Sequence, residues 1–256
     1  MKRGNPFKTN GREHTMKKTL LKSALMALAG VGLMAGSASA TAIVSGGESP
    51  DLQTIFDTKG WDIDVDDDQA PYDSYWEVSE GVLSGSWTTL LIEVAGNAGA
   101  NTFGVFDQSG NMYKLFDGSA GTLDKISMTW NSHGLFSATF DPDTGSPVTL
   151  WTDEQLDQVF GYYLGTPGGY FYSDPNKNGG WDQMVSYMGT GTNGLSAGHY
   201  ILAWEDLGYG LSGTDKDFND MVIMVESVNP VPEPATMLLF STGLAGLAGV
   251  ARRRKK

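Results

Sequence analysis

The chain contains no cysteine, so no disulfide can brace its fold. Basic side chains are nearly as scarce over most of its length. Seven of the seventeen Lys and Arg precede Ala40 and five follow Ala251, which leaves only Lys59, Lys114, Lys125, Lys177 and Lys216 between. The same stretch holds 29 of the 30 Asp and Glu, a net charge of −24 against −13 for the whole chain of 256 residues. A surface this poor in cations cannot neutralise phosphates, which excludes nucleic acid as a partner. It suits bound cations instead. The stability of a cysteine-free fold must come from its core, from a metal, or from both.

The two ends differ from the middle. From Met16 the chain runs through Lys17, Lys18 and Lys22 into an apolar stretch that closes on Ala38-Ser39-Ala40. A basic start, an apolar run and a small-x-small site make a secretory signal peptide, residues 16–40, cut by signal peptidase after Ala40. Residues 1–15 fit neither signal nor fold and read as an upstream extension, with Met16 as the initiator. At the other end, Ala235 to Ala251 is seventeen residues without a charge. At 1.5 Å per residue a helix there spans about 25 Å, slightly short of a roughly 30 Å hydrocarbon core. Arg252 to Lys256 are all basic and should stay cytoplasmic. Gly243, Gly246 and Gly249 would weaken a helix in water, so a transmembrane helix over 235–251 is preferred to a buried core helix.

Val231-Pro232-Glu233-Pro234, an apolar span and a basic cluster together resemble the PEP-CTERM sorting signal over residues 231–256. The resemblance implies processing by an exosortase-type membrane protease, transient anchoring through the C-terminal helix, and a Gram-negative host that builds an exopolysaccharide matrix. It places the mature protein at the cell surface or in that matrix.

Between the ends, residues 41–229 read as one all-β domain. Short segments such as TLLIEVA, TFGVF, MYKLF, KISMTW, LFSATF, PVTLW, FGYYL, YFYS, MVSYM, YILAW and MVIMVES alternate apolar with polar or small residues. Gly, Asn, Asp and Ser fill the gaps with turn chemistry. Many short strands with such turns predict a β-sandwich of jelly-roll type. Short helices are expected around Asp51–Asp57 and Asp153–Gln158. A division near Asp141-Pro142-Asp143 is the alternative to a single domain.

Catalytic motifs are absent: there is no G-x-S-x-G turn and no H-E-x-x-H. Two histidines, His133 and His199, lie in the exported part, and a histidine on a strand is more often structural. Acid pairs for glycoside hydrolysis abound among 29 carboxylates, so their number selects none. Trp61, Trp76, Trp87, Trp151, Trp181 and Trp204 could stack on sugars, but large aromatics usually fill a sandwich core.

The acidic clusters carry more. Calcium takes six to eight oxygen ligands, and alternate acidic or amide positions let a turn wrap them round one ion. Three stretches qualify: Asp215-x-Asp217-x-Asn219-Asp220, Asp174-x-Asn176-x-Asn178 with Asp182 beyond, and Asp64-x-Asp66-x-Asp68. None is an EF-hand, since strand rather than helix pattern follows the first. For Asp64–Asp68 an exposed strand with a solvated acidic face is preferred. For Asp174–Asp182 a ligand-free loop competes evenly. For Asp215–Asp220 a shared cation is preferred to turn capping, because carboxylates about 4 Å apart repel by about 4 kcal/mol at an effective dielectric near 20.

Residues 203–227 resemble a domain of unknown function found in bacterial surface proteins. The residues that carry this are Glu205-Asp206-Leu207, a Gly-rich loop, then Asp215, Asp217, Asn219 and Asp220 before an apolar strand, with weaker similarity back to about residue 160. The resemblance adds Glu205 and Asp206 to the expected calcium ligands and implies no activity. The expectation is thus a non-enzymatic, calcium-stabilised surface or matrix protein. A calcium-dependent module binding exopolysaccharide is the alternative, and a secreted hydrolase the third reading.

Overall fold

The computed structural model describes residues 41–44, 49–71, 73–79, 85–93, 99–208 and 214–232. Residues 1–15, the expected signal peptide with Ala38 and Ala40, Glu233 and Pro234 of the sorting motif, and the expected transmembrane span 235–251 all lie outside the described residues. Among the described residues no helix is long and apolar enough to cross a membrane.

Among the described residues one α-helix, α1 (Leu52–Lys59), precedes the strands. Asp51 caps it by accepting the Thr54 amide at 2.7 Å, and Gly60 closes it in the left-handed region at φ 75°. Thirteen strands follow: β1 (Tyr75–Val78), β2 (Gly85–Glu93), β3 (Thr102–Asp107), β4 (Met112–Phe116), β5 (Lys125–Trp130), β6 (Phe136–Asp141), β7 (Val148–Glu154), β8 (Val159–Thr166), β9 (Gly169–Tyr172), β10 (Met184–Met188), β11 (His199–Trp204), β12 (Met221–Glu226) and β13 (Val228–Val231). They form two antiparallel sheets. One runs β13-β1-β8-β3-β4, with β9 also on β8; the other runs β10-β11-β12-β2-β5-β6-β7. The fold is the expected all-β sandwich.

The alternation read from the sequence appears as burial. On β5, Ile126, Met128 and Trp130 face inward while Lys125 and Thr129 are exposed. They meet Phe103, Phe160, Tyr162 and Trp204 in the core between the sheets. β11 and β12 are buried on both faces instead. Leu52, Ile55 and Phe56 of α1, spaced three and four apart, cover Val185, Tyr187, Ile201, Ala203 and Val222 on the outer side of the second sheet. That second core explains why YILAW and MVIMV read as nearly continuous apolar runs.

Four local expectations changed. No helix forms over Asp153–Gln158: Asp153 and Glu154 end β7, which pairs with β6. Six residues are too few to nucleate a helix against a sheet ladder. The acidic stretch Asp64–Asp68 is a turn and not an exposed strand. The Asp64 carboxylate accepts the Asp66 and Asp67 amides at 2.9 and 3.1 Å, while Ile63 and Val65 still point inward. β1 is short and broken off by turns, and gave no clear alternation. β13 was hidden by Pro230, which an edge strand tolerates because one side of its ladder is unused. The fold therefore runs to Val231, past the expected end at Asn229. Across Asp141-Pro142-Asp143, β6 and β7 pair directly, and residues 40–234 form one compact unit.

Candidate metal centre

β11 and β12 pair in a register that sets Trp204 opposite Met221. One step beyond, Glu205 and Asp220 therefore leave the same end of the ladder side by side. The connecting segment returns through Asp215, Asp217 and Asn219. Two non-glycine residues there, Lys216 and Phe218, hold left-handed backbone at φ 61° and 53°, a conformation that costs of order 1 kcal/mol or more each. What holds them is contact. Phe218 is fully buried in the outer core, the Val44 amide donates to the Lys216 carbonyl at 2.9 Å, and Asn219 donates its side-chain amide to the Pro50 carbonyl at 2.9 Å.

This winding gathers acids. One carboxylate oxygen from each of Glu205, Asp215 and Asp217 lies within 4.8 Å of the other two. At an effective dielectric near 20, each such pair repels by about 3 kcal/mol. Glu205 is 0 % exposed and Asp217 1 %, so water relieves little of this. Neither Glu205 oxygen has a hydrogen-bond partner. Burial, then the charges of Asp215 and Asp217, push the Glu205 carboxyl up to about 7; Thr214 and the Leu207 amide pull weakly the other way without bonds of ordinary geometry. Asp220 is pushed up to about 8, by burial first; the Asp206 amide opposes this, and the charges of Asp206, Glu205 and Asp217 add to it.

Asp206 and Asp220 stand beside this trio. The Asp206 amide donates to Asp220 at 2.7 Å, and Asp206 accepts the Asn101 side-chain amide at 2.9 Å. Asn219 donates its backbone amide to Asp217 at 3.3 Å. Its side-chain oxygen, like those of Asn101 and Gln183, is buried without a partner. Each of these three amides has already spent its nitrogen, on Asp206, on the Leu207 carbonyl and on the Pro50 carbonyl. Asn101, Gln183 and Thr214 were not read as site residues. They sit far away in sequence or in plain loop, and no local pattern marks them.

The donor set fits a hard divalent cation. Calcium–oxygen distances of about 2.3–2.6 Å place oxygens on opposite sides of the ion roughly 5 Å apart, the span of this trio. Glu205, Asp215 and Asp217 would hold it. The ion would supply positive charge in place of protons.

The second expected cluster is used differently. Asp174 caps a 3₁₀ turn, Pro175–Asn178, accepting the Asn176 backbone and side-chain amides at 2.9 and 3.0 Å and the Tyr75 hydroxyl at 2.8 Å. Asn178 pairs with both backbone groups of Tyr172. Asp182 accepts the Thr41 hydroxyl at 2.7 Å, and burial raises its pKa. Among the described residues, neither Asp174 nor Asp182 joins a group of three acidic or imidazole ligands.

Residues 140–228 match the family described as Domain of unknown function (DUF4114), which includes the whole Glu205–Asp220 region. Residues 230–255 match the PEP-CTERM protein-sorting motif. The chain carries a PEP-CTERM sorting signal. That motif marks the protein for export to the cell envelope and for processing by an exosortase-type membrane enzyme. It begins inside β13, and Pro232 follows the last strand directly. The DUF4114 match starts within β6 and so omits β1 to β5. Yet β2 lies between β12 and β5, and β3 lies beside β8, so the matched residues share both sheets with unmatched ones. Neither a curated protein nor a solved structure matches the chain.

Proposed function

We propose that this is a non-enzymatic protein of the cell surface or extracellular matrix of a Gram-negative bacterium, whose sandwich is locked by Ca²⁺ at Glu205, Asp215 and Asp217. The observation that carries the reading is Glu205: fully buried, unpartnered at both oxygens, and beside two more carboxylates. A buried acid in that position is unfavourable unless protonated or metal-bound. The ion ties the end of β11 to the loop that enters β12, a role a disulfide would fill in other exported proteins.

The test is thermal. A ligand that binds only the native state adds RT ln(1 + [L]/Kd), about 2.7 kcal/mol at a hundredfold excess. The exported protein should melt about 5–10 °C higher in excess calcium than in EDTA. Magnesium should substitute poorly, because it demands octahedral geometry and keeps its water. Asp217→Asn should abolish most of the shift and Asp66→Asn, in a closed turn, should not. An equal shift in sodium chloride at matched ionic strength would mean charge screening and no site.

Exopolysaccharide binding is the second reading. It is favoured by Tyr170 and Trp181, which are 58 % and 52 % exposed where Trp76 and Trp204 are fully buried. Glycan-array binding that disappears in Tyr170→Ala and Trp181→Ala would support it.

A further inference from the structure

Thr41 is held as few chain ends are. Its backbone amide donates to the Gln69 side-chain oxygen at 2.8 Å, and Gln69 donates back to the Thr41 carbonyl at 2.8 Å and to the Val65 carbonyl at 3.0 Å. Its hydroxyl donates to Asp182 at 2.7 Å. The first residue after a secretory leader ordinarily frays unless tied down. Here both backbone groups and the side chain are engaged, by residues 28 and 141 positions away.

We propose that signal-peptide cleavage after Ala40 creates an ionic lock: the freed α-ammonium group of Thr41 pairs with the Asp182 carboxylate, so that maturation itself stabilises the sandwich. The inference rests on the cleavage site Ala38-Ser39-Ala40 and is independent of the calcium site. In the uncut chain the Thr41 nitrogen is a neutral amide with one hydrogen, already given to Gln69. Hydrolysis of the Ala40–Thr41 bond leaves the Ala40 carboxylate on the leader and an amine on Thr41. That amine gains its proton from water, since an α-amino group has a pKa of about 7.7–8.0. It keeps the Gln69 bond and has two further hydrogens. The threonine nitrogen and hydroxyl are two carbons apart, so the ammonium lies within roughly 6 Å of the carboxylate that the hydroxyl already touches. That is inside one Debye length at physiological salt. Asp182 is a half-buried carboxylate that accepts the Met184 amide and whose charged form is penalised by burial; a cation at this point relieves it. Gln69 and Asp182 flank β10, an edge strand of the second sheet, which Gln69 also meets through a bridge to Tyr187. The lock therefore pins the chain start beside this edge strand, where Gln69 and Ala70 already pair with Tyr187 and Ser186.

The experiment uses the full chain, exported and matured by the host, with N-terminal sequencing and melting in parallel. Inserting one alanine between Ala40 and Thr41 moves the ammonium about 3.8 Å along the chain. The inserted variant and Asp182→Asn should each melt about 2–4 °C lower than the natural mature protein. The two changes combined should melt no lower than either alone, because each removes the same pair. Additive losses, or an inserted variant that melts normally while sequencing shows the extra alanine at its start, overturn the lock. A natural mature chain that starts anywhere but Thr41 overturns the cleavage reading and the lock with it. The calcium shift should be the same in all these variants.

Discussion

Glu205 shows most directly how a side chain that is unfavourable in the bare protein would suit a cation-bound one. Buried and repelled by Asp215 and Asp217, it holds a proton up to about pH 7 when no cation is near. Replacing it by glutamine removes that charge while keeping its shape. Glu205→Gln should therefore raise the melting temperature in EDTA at pH 8, yet lower it in calcium relative to the natural protein. Parallel melts in the two buffers check this. Loss in both buffers would mark Glu205 as a packing residue. Gly104 illustrates a different demand at the same scale: a Cβ there would meet the Tyr113 carbonyl and the Tyr163 ring, so β3 needs glycine where it passes β4 and β8.

The segment that leads into β12 behaves as an element although it is neither helix nor strand. Its acids repel, its backbone is left-handed at Lys216 and Phe218, and nothing in its own sequence favours that path. Phe218 resists the unwinding by filling the outer core with Phe56 and Val222 of its neighbours. Phe218→Ala should cost about 3–5 kcal/mol. It should also weaken calcium binding, because Asp217 and Asn219 lose their anchor. Denaturant unfolding and a calcium titration measure the two effects. An intact calcium affinity in that variant would show that the loop holds its shape without the core. The same reasoning explains which parts of the site were readable. Asp215, Asp217, Asn219 and Asp220 stand in one short run and so showed as an acidic cluster, whereas Glu205 and Asp206 entered only through the family resemblance. Asn101 and Gln183 showed in neither way: Asn101 reaches Asp206 from before β3 in the other sheet, and Gln183 comes alongside through the pairing of β10 with β11, so both contacts exist only in the folded chain.

At the scale of the molecule, the buried acids set the response to pH. In the metal-free protein Glu205 and Asp220 titrate near 7 and 8, well above their unfolded values. The folded state then holds more protons than the unfolded one between about pH 4 and 8, so stability falls as pH rises through that window. Asp51 and Asp117 shift the other way, held low by hydrogen bonds, and at Asp107 burial pushes upward but is outweighed by hydrogen bonds from Asn111, Asp157 and Ser109; their contribution is lost only in acid, below that window. In EDTA the exported protein should therefore melt lower at pH 8 than at pH 5.5. Saturating calcium should flatten or reverse that slope, since the ion takes the place of the protons. Melting curves at the two pH values, with and without calcium, decide it; a metal-free protein that gains stability toward pH 8 would contradict the buried charges.

The sequence alone determined the strand-rich architecture, because period-two alternation and turn residues are local and survive without partners. It determined export for a similar reason: the PEP-CTERM tail is a linear signal read along an unfolded chain. Only tertiary structure decided that Asp64–Asp68 closes a turn, that Pro230 lies on an edge strand, and that α1 shields β11 and β12. It also decided that Glu205 meets Asp215 and Asp217 while Asp182 meets Thr41. Those outcomes depend on which segments the two sheets bring side by side, and burial then selects among acids that are chemically alike along the chain.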